Sequence, residues 1–125
     1  MILSLFGMNM PKLLKHNGYE ILVKEATVIA GMRRSRMRRD GTMAGEMDND
    51  KRILLIITYP DLVCVSEGKK GFAHWPPSFE EFIELPEALV IEWEQIAYEL
   101  NPHWQPGSHG DLDEQEEIEK KMLTS

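Results

Sequence analysis

Arg52–Val65, RILLIITYPDLVCV, is the stretch on which the fold class turns. Ile53, Leu54, Leu55, Ile56 and Ile57 form an apolar, largely β-branched run whose local propensity favours a buried strand. The residues just upstream, Asp48-Asn49-Asp50, are instead good helix N-caps. A strand also needs a partner. The sequence offers no second run of comparable character apart from the weaker Leu62-Val63-Cys64-Val65, and a hairpin alone is marginal in water. The segment therefore reads as helix, a break at Tyr59-Pro60-Asp61, and a further short helix opened by the proline, with a two-stranded hairpin as the alternative. On the helical reading the chain is all-α, a small bundle of about four to five helices.

Working outward toward the N-terminus, Asp40-Gly41 through Asp50 is polar and glycine-containing and reads as a loop, with Lys51 opening the next element. Asn17-Gly18 is a turn or helix boundary. From Tyr19 the apolar residues Tyr19, Leu22, Val23, Ala26, Ile29 and Ala30 fall on one helical face, so the spacing predicts a long helix running to Asp40. Arg33, Arg34, Arg36, Arg38 and Arg39 fall in its last turns, where cations suit the negative end of the helix dipole. The same five side chains are the candidate contact for an anionic partner, because guanidinium forks pair well with phosphates. An acidic net charge of −7 and the lack of a recognisable binding motif weigh against nucleic acid.

Toward the C-terminus, Ser66–Pro77 carries Gly68, Gly71 and Pro76-Pro77 and reads as a loop that Trp75 pins to the core. Ser78 and Glu81 have capping-box spacing, which starts a short helix. Pro86 ends it and sits in the first turn of a second, along which Leu89, Trp93, Ile96 and Leu100 share one face and Glu87, Glu92, Glu94 and Glu99 the other. Asn101-Pro102 stops that helix. One helical domain is thus expected over 1–104, with 1–11 a disordered leader and 105–125 a flexible acidic tail too poor in apolar residues to offset its ordering entropy.

The charge is polarised along the chain. Residues 1–40 hold eight Lys/Arg against three Asp/Glu, and the remainder six against eighteen. The two halves neutralise each other within one fold, or orient the protein against a charged partner or a second copy in a homo-oligomer. One cysteine, Cys64, allows no intramolecular disulfide. With no signal peptide and no apolar run of bilayer length, the expectation is a cytoplasmic protein without a membrane partner.

Catalytic and cofactor signatures are absent: no CxxC, HExxH, Walker loop or GxGxxG occurs. His103, His109, Asp111 and Asp113 lack spacing that would fix them as metal ligands. Cys64 and His74 lack a third orienting group, so Cys64 reads as a small buried thiol. No catalytic residue, metal or cofactor is therefore assigned, and the function expected is binding. Eight methionines, four of them between Met32 and Met47, suit a surface that adapts to varied apolar partners.

The run FEEFIELPEALVIEWEQIAYELNPHW (79–104) resembles the C-terminal part of tail assembly chaperones of long-tailed bacteriophages and prophages, with looser likeness at Ala26–Ser35 and Leu55–Leu62. The resemblance implies a largely helical, non-enzymatic protein of the bacterial host cell during phage assembly. It would coat the tape measure protein, keep its apolar stripe soluble and deliver it to the tail tube protein without staying in the finished tail. It also implies a −1 frameshift near the end of the short product, for which Glu119-Lys120-Lys121 offers codons that can slip. For the client surface, a groove is expected near Leu89, Trp93 and Ile96, with Trp75, Met32 and Met37 adapting to the bound helix. The alternatives are a nucleic-acid-associated regulatory or packaging protein using Arg33–Arg39, or a minor structural subunit of the virion.

Overall fold

Asn17 and Gly18 both take positive φ, 43° and 90°, the geometry of a tight two-residue hairpin turn that asparagine and glycine adopt with least strain. The turn therefore joins two strands, β1 (Lys12–His16) and β2 (Tyr19–Val23), antiparallel with His16 opposite Tyr19 and Lys12 opposite Val23. A third strand, β3 (Ser66–Lys70), pairs antiparallel with the other edge of β2 and completes a sheet of order β1-β2-β3. The computed structural model that shows this describes residues 10–107. Residues 1–9 and 108–125, and with them most of the expected leader, the acidic tail and the slip-site codons, lie outside the described residues.

The fold is thus mixed α and β, which overturns the all-α expectation at two places. The predicted helix from Tyr19 begins only at Val28: helix α1 (Val28–Thr42) is capped by the Thr27 side chain, which accepts from the Ala30 N–H. Within 19–23 the buried positions are Ile21 and Val23, the alternation of a strand, and Leu22 points the other way. The segment 66–70 was expected to be a loop, and its sequence SEGKK has no strand character of its own. It is a strand because β2 presents a free edge beside it, and the Lys24 N–H to Val65 carbonyl bond of 2.7 Å extends the pairing.

Arg52–Val63 is helical, without the expected break, and Cys64 and Val65 turn into β3. Asp48 caps α2 (Asn49–Ile53) by accepting from the Lys51 N–H, the chain then widens into a π turn (Leu54–Thr58), and α3 (Tyr59–Val63) follows directly. The cause is Pro60. With no N–H, it cannot complete the α-helical ladder. The Tyr59 N–H reaches back five residues to the Leu54 carbonyl, so the helix passes through the proline by a local change of pitch.

The C-terminal half follows the sequence closely. Ser78 and Glu81 form the reciprocal capping box that starts α4 (Phe79–Phe82). Pro86 serves as N-cap of α5 (Glu87–Leu100), one position before the helix rather than inside its first turn. Leu89, Trp93, Ala97 and Leu100 are its buried stripe, and a short 3-10 turn (Pro102–Trp104) brings Trp104 back onto the core. One core gathers Leu14, Ile21 and Val23 of the sheet, Leu62 and Val63 of α3, and the stripe of α5. Ring contacts run without interruption from Tyr19 through Phe72, Trp75, Trp93 and Phe82 to Tyr59.

Two polar ties inside this core fix where the helices sit. Asn101 is fully buried; its amide oxygen accepts from the Ala26 N–H at 2.6 Å and its nitrogen donates to the Lys24 and Ala97 carbonyls at 3.0 and 3.1 Å. The end of α5 therefore holds the link between β2 and α1. Asp61, also fully buried, accepts from Arg34 Nε at 2.6 Å and from the Tyr98 hydroxyl at 2.8 Å, with Arg38 at 3.5 Å. Burial pushes its carboxyl above the usual range, against the pull of Arg34, Arg38 and Tyr98.

Candidate binding cleft

The arginine cluster does not form one surface. At helical pitch Arg34 and Arg38 stand four residues apart on the face of α1 turned to α3, and both go to Asp61. The Arg34 guanidinium also lies 4.4 Å from the centroid of the Trp104 ring, a cation–π contact. Arg33, Arg36 and Arg39 recur at three-residue spacing on the other side and are exposed. Because α1 continues to Thr42, only Arg39 lies in its last turn, and the expected dipole role is left to that residue.

Between this outer side of α1 and the start of β3 runs an open cleft of about 680 Å³. Ile29, Arg33, Arg36 and Met37 form one wall; Val65, Ser66, Glu67 and the Trp75-Pro76 corner form the other, with Cys64 between them. Met37 Sδ lies 3.6 Å from Cys64 Sγ, so the floor there is two soft, polarizable sulfurs. Burial and the nearby Asp61 push the Cys64 thiol up to about 11, against Arg33 and Arg34, so it stands in the cleft as a neutral, weakly polar group at neutral pH. The thiol is half-buried, not the enclosed one expected. Val28, Ile29 and Met32 continue apolar surface onto the first two turns of α1, at 84%, 52% and 59% exposure.

Of the residues singled out in the sequence, the cleft brings together Trp75, Met37, Arg33 and Arg36, and Met32 lies on the exposed surface of the same helix. It does not include Leu89, Trp93 or Ile96. Leu89 and Trp93 are 0% exposed and Ile96 is half-buried against the core, so the groove expected around them is filled by the protein's own sheet and by Trp75. Sequence spacing does not single out Ile29, Val65 or Ser66 as cleft residues: it places Ile29 on the apolar face of a helix starting at Tyr19, whereas α1 starts at Val28 and leaves Ile29 exposed. Among the described residues, no group of three or more His, Cys, Asp or Glu is placed to hold a metal ion, and no helix is long and apolar enough to cross a membrane.

The Trp75 wall depends on Gly68. A Cβ built there would lie 2.2 Å from Trp75 Cε3 and 2.7 Å from Cζ3, so the indole rests on the bare backbone of β3. Gly68→Ala should therefore cost about 1–3 kcal/mol in urea unfolding, and the displaced ring should alter the near-ultraviolet circular dichroism. A loss within error, with an unchanged spectrum, would mean that the ring is not held there. No family model matches this chain, and no curated protein or solved structure matches it.

Proposed function

We propose that this protein is a phage tail assembly chaperone whose cleft between α1 and β3 holds an apolar stripe of the helical tape measure protein. The observation that carries the reading is the exposed apolar surface of α1, Val28, Ile29 and Met32, running into a cleft floored by Met37 and Cys64 and walled by Trp75. Monomeric proteins rarely leave contiguous apolar surface beside a concavity, and methionine-rich walls re-pack around clients of varying register. The resemblance of residues 79–104 to that family supports the assignment, although its helical expectation fails for 12–23 and 66–70. The work is binding and release; the chain keeps its client soluble until tail tube protein assembles around it, in the host cytoplasm.

Co-expression tests this. A tape measure protein co-expressed with this chain should be soluble only when the two are made together, and Ile29→Asp, a change at an exposed position, should return it to the insoluble fraction. Client solubility that is the same with and without the chain would overturn the assignment. The exposed row Arg33, Arg36 and Arg39 favours one other reading, contact with nucleic acid. That reading predicts DNA or RNA binding that falls steeply with salt.

A further inference from the structure

Arg33 and Arg36 stand three residues apart on α1, about 4.5 Å along its axis, and form a basic rail at one edge of the cleft. Neither has an ion-pair partner among the described residues. The opposite wall differs: Glu67 there is already bridged by Lys24 at 2.9 Å and Lys69 at 3.0 Å, which holds its carboxyl below the usual range. Lys24 and Glu25 line the cleft beside Glu67, so with Lys69 that side carries two cations and two carboxylates. The cleft thus offers an apolar floor of Ile29, Met37 and Trp75, one basic edge and one edge whose charges offset each other.

We infer that the preferred occupant is an amphipathic helix carrying carboxylates on one flank of its apolar stripe, spaced three or four residues apart so that both meet Arg33 and Arg36. Such spacing puts side chains one turn apart on a helix, the same interval as the two guanidiniums. The apolar stripe fills the floor, and the one-sided charge sets the direction and register in which the helix lies. This rests on the reading of the cleft as a client site and narrows it, since apolar contact alone would accept a stripe in either direction. Charges at the edge of an interface act mainly on specificity and encounter rate, so selectivity is the quantity to measure.

The test uses the full chain and synthetic helical peptides that share one apolar stripe and differ only in a flank of Glu, Gln or Lys, with binding followed by fluorescence anisotropy at low and high salt. The Glu peptide should bind about tenfold more tightly than the Lys peptide at low salt, and the ratio should shrink as salt screens it. In a variant carrying Arg33→Glu and Arg36→Glu, with its fold checked by circular dichroism, the preference should reverse toward Lys. Equal binding of all three peptides overturns the charge rule and leaves the client reading standing; no binding by any of them removes both. A Glu preference that survives in the double variant places the contact elsewhere. If the double variant instead changes the sedimentation of the protein alone, or removes salt-sensitive DNA binding while peptide binding is unchanged, the rail belongs to a second copy or to nucleic acid, and the inference falls.

Discussion

Asp61→Ala should destabilise the protein by about 3–5 kcal/mol, measured by urea unfolding with circular dichroism, because it strands charge inside the fold. Asp61 has no exposed surface and accepts from Arg34 and Tyr98, and the Arg34 and Arg38 side chains retain only 11% of theirs. Removing the carboxylate takes a shared anion away from two largely buried guanidiniums. Much of a typical domain's total stability of about 5–15 kcal/mol is at stake. The comparison that separates burial from attraction is Asp61→Leu combined with Arg34→Met. If the cost is mainly stranded charge, the double variant should recover part of the loss even though it has fewer polar contacts, with Arg38 accounting for the remainder. A single-variant loss below about 1 kcal/mol would mean that the carboxylate is solvated and that the helix contact rests on apolar packing alone.

That carboxylate also explains why the arginine run was legible only in part. Five arginines in seven residues read from sequence as one patch, but a helix of 3.6 residues per turn deals them to two sides. Arg34 and Arg38 bind the structure together and Arg33, Arg36 and Arg39 remain outside. The signal available in sequence was the four-residue interval from 34 to 38. Its partner, Asp61, stands 27 residues from Arg34, and nothing local links the two. Two of the five arginines in the apparent basic patch are therefore architecture.

The sheet was legible at one point and hidden at another. Asn17-Gly18 between two short apolar runs is a strong hairpin signal, and Leu14, Ile21 and Val23 supply the inward face. Tyr19, Leu22, Val23 and Ala26 also fit helical spacing, and a strand of five residues is too short for its period to discriminate between the two. Ser66–Lys70 is a different case. Its strand state comes from the edge of β2, a partner far away in sequence, and from a glycine that accepts the Trp75 ring. Capping at Ser78 and the stop at Asn101-Pro102 were legible because both are decided within one turn of chain.

Trp93→Ala should cost about 3–5 kcal/mol in the same unfolding assay, the range expected for deleting a fully buried tryptophan. The indole lies 5.9 Å from both Trp75 and Phe82 by ring centroids, and its Nε1 donates to Ser66 Oγ at 2.8 Å, so one side chain joins α5 to the start of β3 and to the cleft wall. Trp93→Phe keeps most of the ring and loses the hydrogen bond, and should cost less, about 1–2 kcal/mol. The two variants together decide what Trp93 does. If it served a partner directly, a folded variant would lose binding without losing stability. If it acts as the prop behind Trp75, peptide affinity should fall in step with stability across Trp93→Phe and Trp93→Ala, whereas Ile29→Asp should weaken binding at nearly unchanged stability. Binding that is lost in Trp93→Phe while its unfolding curve matches wild type would return Trp93 to the site itself, and would mean that the core opens to admit the client.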